Sequence, residues 1–359
     1  MALARKLSRG GVSSYLTTDR AEVYYLSGFT GEDSALIAAG GDGVLVTDRR
    51  FEEQAQKECP GTRVVMREEE LARAVRMELP RQGKVGYDPR TTTVAMFSSL
   101  GLRRRGRAVP NAVRLLRQHK TDKEVGAITK ALHVATAALR AAIRKAKPGW
   151  RETDLSGLLE YEMRRRGARG PAFETIILVD ERGSLPHGRP GKKRIASGSS
   201  VLVDWGARLG MYNSDLTRMV GAGTVKSEVR RLYGLVREAQ ERAIERIRPG
   251  VRACEVDAAA RELIEKRGYS RQFGHGLGHG VGLEVHELPV VSSRSRVRLA
   301  EGMVFSVEPG IYLPGKVGVR VEDLVVVTKD GCRRLTRLSR GVLRLGDTRN
   351  CGQERGHGT

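Results

Sequence analysis

The amino-acid sequence predicts an α/β domain followed by an α+β domain with a pseudo-two-fold internal repeat. Residues 1–100 alternate strand-like and helix-like segments, an arginine-rich connection follows, and the rest of the chain repeats a helix pattern. A chain of 359 residues is long enough for two domains that each bury an apolar interior. We therefore expect domains at residues 1–117 and 118–346, and a disordered tail at residues 347–359.

The first domain contains short apolar runs that are separated by charged stretches. Residues 44–46 and 64–66 have the composition of short strands, whereas residues 49–58 and 68–77 have a helical pattern. The glycine-rich segment 40–43 indicates a turn. This alternation is typical of an α/β domain.

The second domain begins with a long predicted helix. Thr121 and Glu124 are spaced as in a capping box, and the helical pattern continues to about Lys147. The Pro-Gly junction and the helical pattern of residues 147–167 then recur at residues 248–268. We interpret this repeat as two similar helix-helix-strand halves that face each other.

The composition argues against membrane, secreted and nucleic-acid-binding classes. No apolar run approaches the roughly 20 residues of a membrane span, and residues 1–10 are not followed by the apolar core of a signal peptide. The four cysteines form no CxxC pair, which favours a reducing, cytoplasmic location. The net charge of +22 is spread over both domains, and the basic run at residues 103–107 lacks aromatic residues for base stacking, so we do not expect nucleic acid as a partner.

Two predicted β-hairpins each place two carboxylates on one face. If Leu209-Gly210 forms the loop of the first hairpin, Asp204 lies opposite Asp215, at a Cβ separation of roughly 4.5–5.5 Å. A three-residue loop in the second hairpin pairs Glu308 with Glu322. The paired charges would repel each other unless a cation lay between them.

A glycine-rich segment, residues 273–287, lies between the two hairpins and contains three of the chain's 7 histidines. Imidazoles concentrated among glycine and apolar residues indicate a metal or catalytic site. Four carboxylates and an imidazole suit two hard or borderline divalent cations better than a structural zinc site. Two such ions would acidify a water and polarise a carbonyl group, which predicts amide hydrolysis.

With these motifs the chain resembles the pita-bread metallopeptidases, and among them the Xaa-Pro peptidases, aminopeptidase P and prolidase. Residues 25–31 and 48–51 resemble a creatinase-type N-terminal domain, and residues 121–346 resemble the pita-bread (creatinase/aminopeptidase) catalytic domain. The resemblance implies a metallo-exopeptidase that cleaves between an N-terminal residue and proline, as an aminopeptidase or as a dipeptidase. It also implies a proline-containing peptide as substrate and a homodimer.

Matched by motif, the resemblance implies five metal ligands: Asp204, Asp215, His279, Glu308 and Glu322. Asp215 and Glu322 would bridge both ions, and Glu308 would also act in catalysis by relaying a proton from water to the leaving nitrogen. The implied cofactor is a pair of divalent metal ions, with manganese as the first expectation and cobalt, iron or zinc as alternatives.

Four further residues match the substrate side of this family. His187, His275 and His286 would bind substrate and act in catalysis, with His275 and His286 lining the proline pocket and stabilising the tetrahedral intermediate. Arg320 would hold a ligand carboxylate by charge-assisted hydrogen bonds. The family's Ser-Gly pair before the Leu-Pro-His element is replaced here by residues 180–183, a difference that bears on substrate selectivity.

Three alternatives remain open. Methionine aminopeptidase shares the ligand pattern but lacks the creatinase-like domain, the histidine at the position of His275 and the Arg-x-Glu sequence of residues 320–322. A general aminopeptidase without proline preference is the second alternative. A catalytically inactive peptide-binding pita-bread module is the third, and such modules have lost ligands that this chain keeps.

Overall fold

The computed structural model describes residue 3 and residues 11–39 and 41–346. The chain divides into two compact units, Met1–Arg117 and Gln118–Thr359. The tail expected at residues 347–359 lies outside the described residues. Among the helices of the described part, none combines the length and the apolar composition that a bilayer crossing needs.

The first unit is built on one six-stranded mixed sheet. Its strands are β1 (Ser14–Thr17), β2 (Ala35–Ala39), β3 (Asp42–Asp48), β4 (Arg63–Arg67), β5 (Val85–Tyr87) and β6 (Gly106–Ala108). Its helices are α1 (Arg20–Ser27), α2 (Glu52–Glu58), α3 (Leu71–Glu78), α4 (Val94–Ser99) and α5 (Arg114–Arg117). The strands lie in the order β4-β3-β2-β1-β5-β6, and the strands predicted at residues 44–46 and 64–66 are confirmed as parts of β3 and β4.

Helices cover both faces of this sheet because its central strands are apolar on both sides. Ile37 and Val46 pack in one cluster with residues of α3, whereas their neighbours Leu36 and Leu45 pack in another with residues of α1 and α2. Adjacent strand residues point to opposite faces, so each face has its own apolar surface. The α/β architecture follows from this pattern.

Glu22 of α1 is fully buried inside the first unit. Its carboxylate accepts a hydrogen bond from the Tyr15 hydroxyl at 3.0 Å. Burial raises the pKa of Glu22 to about 7; hydrogen bonds from Thr17 and Tyr15 oppose the rise, and the charges of Asp19 and Asp88 add to it. The folded unit therefore favours the protonated carboxyl of Glu22 more than the unfolded chain does.

We expect Glu22→Gln to stabilise the first unit at pH 8 and to have little effect at pH 4.5. Between these values the folded state binds a proton that the unfolded chain has released, so the stability of the wild-type unit falls as the pH rises through 7. Glutamine removes a penalty of up to about 3 kcal/mol at pH 8. Hydrogen exchange of the β1 and β2 amides in the intact chain measures the difference.

The control for this prediction is Glu53→Gln, because the side chain of Glu53 is 82% exposed. That variant should change the stability of the first unit little at either pH. An equal shift of Glu22→Gln at pH 4.5 and pH 8 would contradict the expected linkage.

Four helices form the outer layer of the second unit: α6 (Asp122–Lys145), α7 (Glu152–Arg165), α8 (Ser227–Arg246) and α9 (Ala253–Lys266). The predicted capping box is confirmed, since the Thr121 amide donates to Glu124 and the Glu124 amide donates to Thr121 Oγ1. The bounds of α7 and α9 have the spacing of the sequence repeat. Gly149 and Gly250, in the two Pro-Gly junctions, both adopt positive φ, 94° and 87°, which glycine does without steric cost.

Two larger and two smaller sheets form the inner layer of the second unit. The strands are β7 (Gly170–Pro171), β8 (Ile176–Val179), β9 (Ser200–Trp205), β10 (Ala207–Leu209), β11 (Tyr212–Asn213), β12 (Leu216–Gly221), β13 (Gly278–Gly280), β14 (Glu287–Val291), β15 (Val304–Val307), β16 (Gly310–Leu313), β17 (Val317–Arg320), β18 (Asp323–Val327), β19 (Cys332–Arg334) and β20 (Leu343–Arg344). The larger sheets have the orders β20-β12-β9-β8 and β14-β13-β15-β18-β19. One core cluster joins α6 and α7 to β8 and β9, and the other joins α8 and α9 to β15 and β17, as expected for two similar halves.

The register of the first hairpin differs from the prediction. Leu209 pairs with Tyr212, so the two-residue turn begins at Gly210, which has a φ of 60°. Asp204 lies opposite Thr217, and the prediction that it lies opposite Asp215 is wrong. The turn starts one residue later because the pairing of β9 with β12 fixes this register, and Gly210 supplies the positive φ of the first turn position. This moves each cross-strand partner by two residues, and an even shift keeps side chains on the same face.

The register of the second hairpin agrees with the prediction. Gly310 pairs with Arg320 across a three-residue loop, and Val307 pairs with Asp323 on the other side of the break between the two ladders. The pairs on both sides of Glu308 and Glu322 therefore have the predicted register. Both residues lie between the two ladders, where the chain passes from one sheet to another.

Candidate metal centre

The five side chains predicted as metal ligands converge on one cavity of the second unit. Asp204 lies in β9, Asp215 lies between β11 and β12, and His279 lies in β13. Glu308 follows β15, and Glu322 follows β17. The cavity has a volume of about 440 Å³, which is in the usual range of small-molecule sites.

Three of these side chains come close enough to bind one cation. A carboxylate oxygen of Asp215, a ring nitrogen of His279 and a carboxylate oxygen of Glu322 all lie within 4.8 Å of one another. His279 Nε2 lies 3.6 Å from Asp215 Oδ2 and 3.2 Å from Glu308 Oε1. Both hairpins and the glycine-rich segment thus contribute donors to one small volume.

Arg320 orients one carboxylate from each half. Its guanidinium contacts the carboxylate of Asp204, and its Nε donates to Thr217 Oγ1 at 3.0 Å. Thr217 Oγ1 in turn donates to Glu322 Oε2 at 2.8 Å. Arg320 Nη1 donates to the Tyr312 hydroxyl at 2.5 Å. These bonds limit the rotation of both carboxylates.

Two buried carboxylate oxygens at this centre lack a hydrogen bond within the part of the chain that the structure describes. Among the described residues, no donor reaches Asp204 Oδ1 or Glu322 Oε1. A buried acceptor without a partner costs about 1–3 kcal/mol. A divalent cation would remove that cost, and carboxylate oxygens with an imidazole nitrogen are suitable ligands for manganese, iron, cobalt or zinc. The residues therefore fit divalent metal ions.

The carboxylates of the centre repel one another. Burial, followed by the charge of Asp204, raises the pKa of Asp215 well above its usual range. Burial, followed by the charge of Asp215, does the same to the pKa of Glu322. Burial also raises the pKa of Asp204, although Arg320 opposes the rise. One arginine does not neutralise this cluster, whereas divalent cations would.

His279 and Glu308 form a hydrogen-bonded pair within the cluster. Burial opposes ionisation of Glu308 and is the largest single influence, but the hydrogen bond and charge of His279, with the charges of His275 and Arg320, together lower the pKa of Glu308 to about 2. Burial also opposes the charged form of His279, but the hydrogen bond and charge of Glu308, with the charge of Asp215 and the hydrogen bond to the Gly280 backbone, together raise the pKa of His279 to about 9. An imidazole must lose its proton to ligate a metal, so metal binding here would release a proton.

The three histidines predicted for the substrate side, His187, His275 and His286, line the same cavity. His275 Nε2 lies 3.2 Å from the Tyr312 hydroxyl, and burial lowers the pKa of His275. The rings of His286 and His279 lie 4.2 Å apart, and burial, followed by the charge of His279, lowers the pKa of His286. The Nδ1–H of His275 donates to the Gly276 carbonyl at 2.7 Å, whereas a neutral imidazole at His286 can donate a hydrogen bond to a substrate oxygen.

Apolar side chains complete the cavity wall. Phe173, Ile176, Val285 and Val290 line it together with the polar groups. Val290 is 47% exposed although it is a β-branched apolar residue. An apolar wall beside a few convergent polar groups is the usual composition of a site that binds a small organic molecule.

The sequence analysis did not single out Thr217, Ser306 or Tyr312. Ser306 Oγ donates to Glu308 Oε1 and accepts from the His279 amide, both at 3.0 Å. Thr217 and Ser306 each lie two residues from a predicted ligand along an extended segment. Alternate residues of a strand share a face, so this spacing could have indicated both. Tyr312 lies two residues from Gly310, the cross-strand partner of Arg320, so the predicted register of β16 and β17 could have indicated it as well.

Comparison with protein families identifies both units. Residues 126–329 match the model of metallopeptidase family M24, and residues 1–119 match the model of the creatinase/prolidase N-terminal domain. The chain is 36% identical over 345 residues to the Xaa-Pro dipeptidase of Pyrococcus furiosus, covering 95% of this chain and 98% of that protein.

Comparison with solved structures gives the same families. An Xaa-Pro dipeptidase from Bacillus anthracis superimposes with a TM-score of 0.91 at 33% identity, covering 96% of this chain and 98% of that one. An X-Pro aminopeptidase from Thermotoga maritima superimposes with a TM-score of 0.87 at 34% identity, covering 95% and 99% of the two chains. The similar structures therefore include both a dipeptidase and an aminopeptidase.

Proposed function

The chain belongs to metallopeptidase family M24, and on that premise we propose that it hydrolyses the peptide bond between an N-terminal residue and a following proline. The observation that carries the proposal is the convergence of Asp215, His279 and Glu322 within 4.8 Å. These donors lie in a cavity that also holds three histidines and an apolar wall.

The residues that would hold two divalent ions are Asp204, Asp215, His279, Glu308 and Glu322. When bound, the ions supply a Lewis acid that lowers the pKa of a water and polarises the scissile carbonyl group. Manganese is the proposed metal, and the same ligands also accept cobalt, iron or zinc.

The carboxylate of Glu308 is the proposed general base and acid. It takes a proton from the attacking water and passes it to the proline nitrogen as that nitrogen leaves. The hydrogen bond that Ser306 Oγ donates to Glu308 Oε1 at 3.0 Å limits the rotation of the carboxylate. Neutral His286 donates a hydrogen bond to the oxygen that becomes negatively charged in the transition state, and His275 lines the proline pocket beside it.

The apolar part of the cavity suits the pyrrolidine ring of proline. Phe173, Ile176, Val285 and Val290 offer apolar surface beside His187, whose ring can bond to a polar atom of the substrate. The expectations of a cytoplasmic location and of a homodimer stay predictions.

We expect metal-loaded protein to cleave Ala-Pro or Ala-Pro-Ala at least about tenfold faster than Ala-Ala-Ala, a discrimination of about 1.4 kcal/mol. The ring of proline fills apolar surface that alanine leaves empty. Protein should be stripped with a chelator, reloaded with Mn²⁺ and assayed for kcat/KM on each peptide. The ratio of Ala-Pro to Ala-Pro-Ala turnover then distinguishes a dipeptidase from an aminopeptidase.

The alternatives give different results in the same assay. Faster cleavage of Ala-Ala-Ala would indicate a general aminopeptidase, and faster cleavage of Met-Ala-Ala would indicate a methionine-aminopeptidase-like enzyme. Binding of both metal and peptide without any turnover would indicate an inactive peptide-binding module.

A further inference from the structure

Asp257 of α9 is fully buried and anchors the segment that carries His275. Both of its oxygens accept hydrogen bonds from Arg261, at 2.7 and 2.9 Å. The backbone amide of Leu277 also donates to Asp257, at 3.1 Å. The carboxylate therefore bonds both to an arginine on its own helix and to the backbone just after His275.

Arg261 extends this anchor to the other side of His275. It donates to the backbone carbonyl of Phe273 at 2.9 Å and to that of His275 at 2.8 Å. Its guanidinium lies 4.2 Å from the centre of the Phe273 ring, and that ring meets the His275 ring edge to face, 5.1 Å between centroids. Backbone and ring of His275 are thus held from one charged pair.

Glu152 anchors a histidine segment in the same way in the first half of the second unit. It is fully buried at the start of α7 and accepts hydrogen bonds from the backbone amides of Val179 and Gly191, at 2.8 and 2.7 Å. Arg182 Nε donates to both carboxylate oxygens at 3.0 Å, and Arg182 Nη2 donates to the Arg189 carbonyl at 2.6 Å. One carboxylate therefore ties together both ends of residues 179–191, the segment that carries His187.

Part of this second anchor comes from residues 180–183. These residues replace the Ser-Gly pair that is typical of the Xaa-Pro peptidases that the chain resembles. Arg182 provides the cation for Glu152. Asp180 accepts hydrogen bonds from the Ser199 hydroxyl and the Ser200 amide, both at 2.8 Å, and so binds the segment to the start of β9. The replaced residues thus brace the loop rather than enter the cavity, whose lining includes none of them.

We propose that Glu152 and Asp257 are positioning residues, one in each half of the second unit. Glu152 acts through His187, and Asp257 acts through His275. The inference rests on the proposed function, in which these histidines bind the substrate. Neither carboxylate lines the cavity, whereas both histidines do. Both carboxylates come from helices related by the internal repeat. Each half therefore holds its histidine loop by a buried helix carboxylate, although the two loops differ in sequence.

A physical reason connects this anchoring to the reaction. A histidine on a glycine-containing loop has many accessible positions, and a group that must meet a substrate within hydrogen-bond distance loses rate when it is displaced by even about 1 Å. A buried carboxylate that accepts several hydrogen bonds removes most of that freedom before substrate binds.

The test compares Asp257→Asn with Glu152→Gln in the full chain labelled with ¹⁵N-histidine. Ring signals are assigned by His187→Ala and His275→Ala. We expect Asp257→Asn to shift or broaden the His275 signals and leave those of His187 unchanged, and Glu152→Gln to do the reverse. Arg261→Lys and Arg182→Lys, which keep the charge but lose the hydrogen bonds to backbone carbonyls, should give the same pattern if the first variants fold poorly.

The matched control is Glu162→Gln. Glu162 is a fully buried carboxylate on α7, and its partners Lys145, Arg165 and Arg166 belong to no histidine segment. This variant should lower stability without moving either histidine signal. Spectra in which all three variants disturb both histidines equally would reduce Glu152 and Asp257 to general stabilising residues and overturn the proposal.

Activity gives a second, independent readout. With Mn²⁺ content unchanged, Asp257→Asn should lower kcat/KM for Ala-Pro-Ala by about 10-fold to 100-fold. In a His275→Ala background, Asp257→Asn should lower kcat/KM little further, because a residue that acts through His275 has no effect once that imidazole is gone. Full additivity of the two losses would contradict the proposal. If wild-type protein cleaves no peptide, the proposed function fails, while the histidine spectra still decide whether the anchors hold their loops.

Discussion

Asp215→Asn is expected to lower hydrolysis of Xaa-Pro peptides by at least about 1,000-fold, a loss of roughly 4 kcal/mol in transition-state stabilisation. Asparagine has nearly the same shape as aspartate but lacks the charge of the carboxylate that we propose as a metal ligand. Asp215 is buried, and its carboxylate lies within 4.8 Å of donor atoms of His279 and Glu322, so its loss should empty the centre rather than weaken one contact.

Metal binding and peptide hydrolysis should fall together in this variant. Titration calorimetry with Mn²⁺ in the absence of peptide measures the first, and kcat/KM for Ala-Pro-Ala measures the second. His279→Ala should behave in the same way, because it removes the imidazole donor from the same cluster. Near-normal turnover of either variant in metal-replete buffer would refute the proposed ligand set.

The matched control for Asp215→Asn is Asp88→Asn in the first unit. Asp88 is also buried, and its carboxylate accepts hydrogen bonds from the backbone amides of Arg90 and Asn111. This change should cost stability of the first unit, because asparagine keeps only one acceptor oxygen. It should leave Mn²⁺ binding unchanged.

Arg218→Met is expected to lower the free energy of unfolding of the second unit by about 3–5 kcal/mol. Both Arg218 and its ion-pair partner Asp323 have side chains that are 0% exposed. The guanidinium also donates to four backbone carbonyls, those of Thr217, Glu322, Leu338 and Ser339. Methionine fills similar space but leaves the Asp323 charge and these carbonyls without their donor.

Denaturant unfolding of Arg218→Met, compared with Arg218→Met/Asp323→Leu, separates the charge from the packing. The double variant should regain part of the lost stability, since no buried charge is left unpaired. Arg242→Met is the surface control: Arg242 pairs with Glu238 in solvent, and its loss should cost less than about 1 kcal/mol. A loss in Arg218→Met as small as in this control would contradict the assigned role.

Arg218 also links the fold to the metal centre. Its bond to the Glu322 carbonyl, at 2.6 Å, fixes the backbone of a proposed ligand. The bond to the Thr217 carbonyl, at 2.9 Å, fixes the residue whose hydroxyl donates to that same ligand. We therefore expect that the metal affinity of Arg218→Met falls along with its stability.

Local signals in the sequence were sufficient for several of the elements and for the second hairpin. The capping box of Thr121 and Glu124 defined the start of α6, because both partners lie within one helical turn. The repeat indicated the two matching helices, because Gly149 and Gly250 mark the same backbone turn. The register around Glu308 and Glu322 followed from the loop length between β16 and β17.

Local signals were not sufficient for the register of the first hairpin. Either Leu209-Gly210 or Gly210-Met211 can form a two-residue turn, and both keep Asp204 and Asp215 on one face. The choice depends on the pairing of β9 with β12 along its whole length, which places Asp204 opposite Thr217. Sequence alone therefore indicated the right carboxylates but paired them wrongly.

By itself, the sequence determined the two-domain α/β and α+β architecture, because helical periodicity, Pro-Gly junctions and hairpin loops are short-range features. Its motifs also carried the resemblance to the family that the comparison shows. Only the tertiary structure decided that Arg320 contacts Asp204 and donates to Thr217, and that Asp257 and Glu152 hold the histidine segments. These contacts join residues far apart in the chain. Their partners are selected by burial and by the need to satisfy every buried charge, and no local pattern encodes that selection.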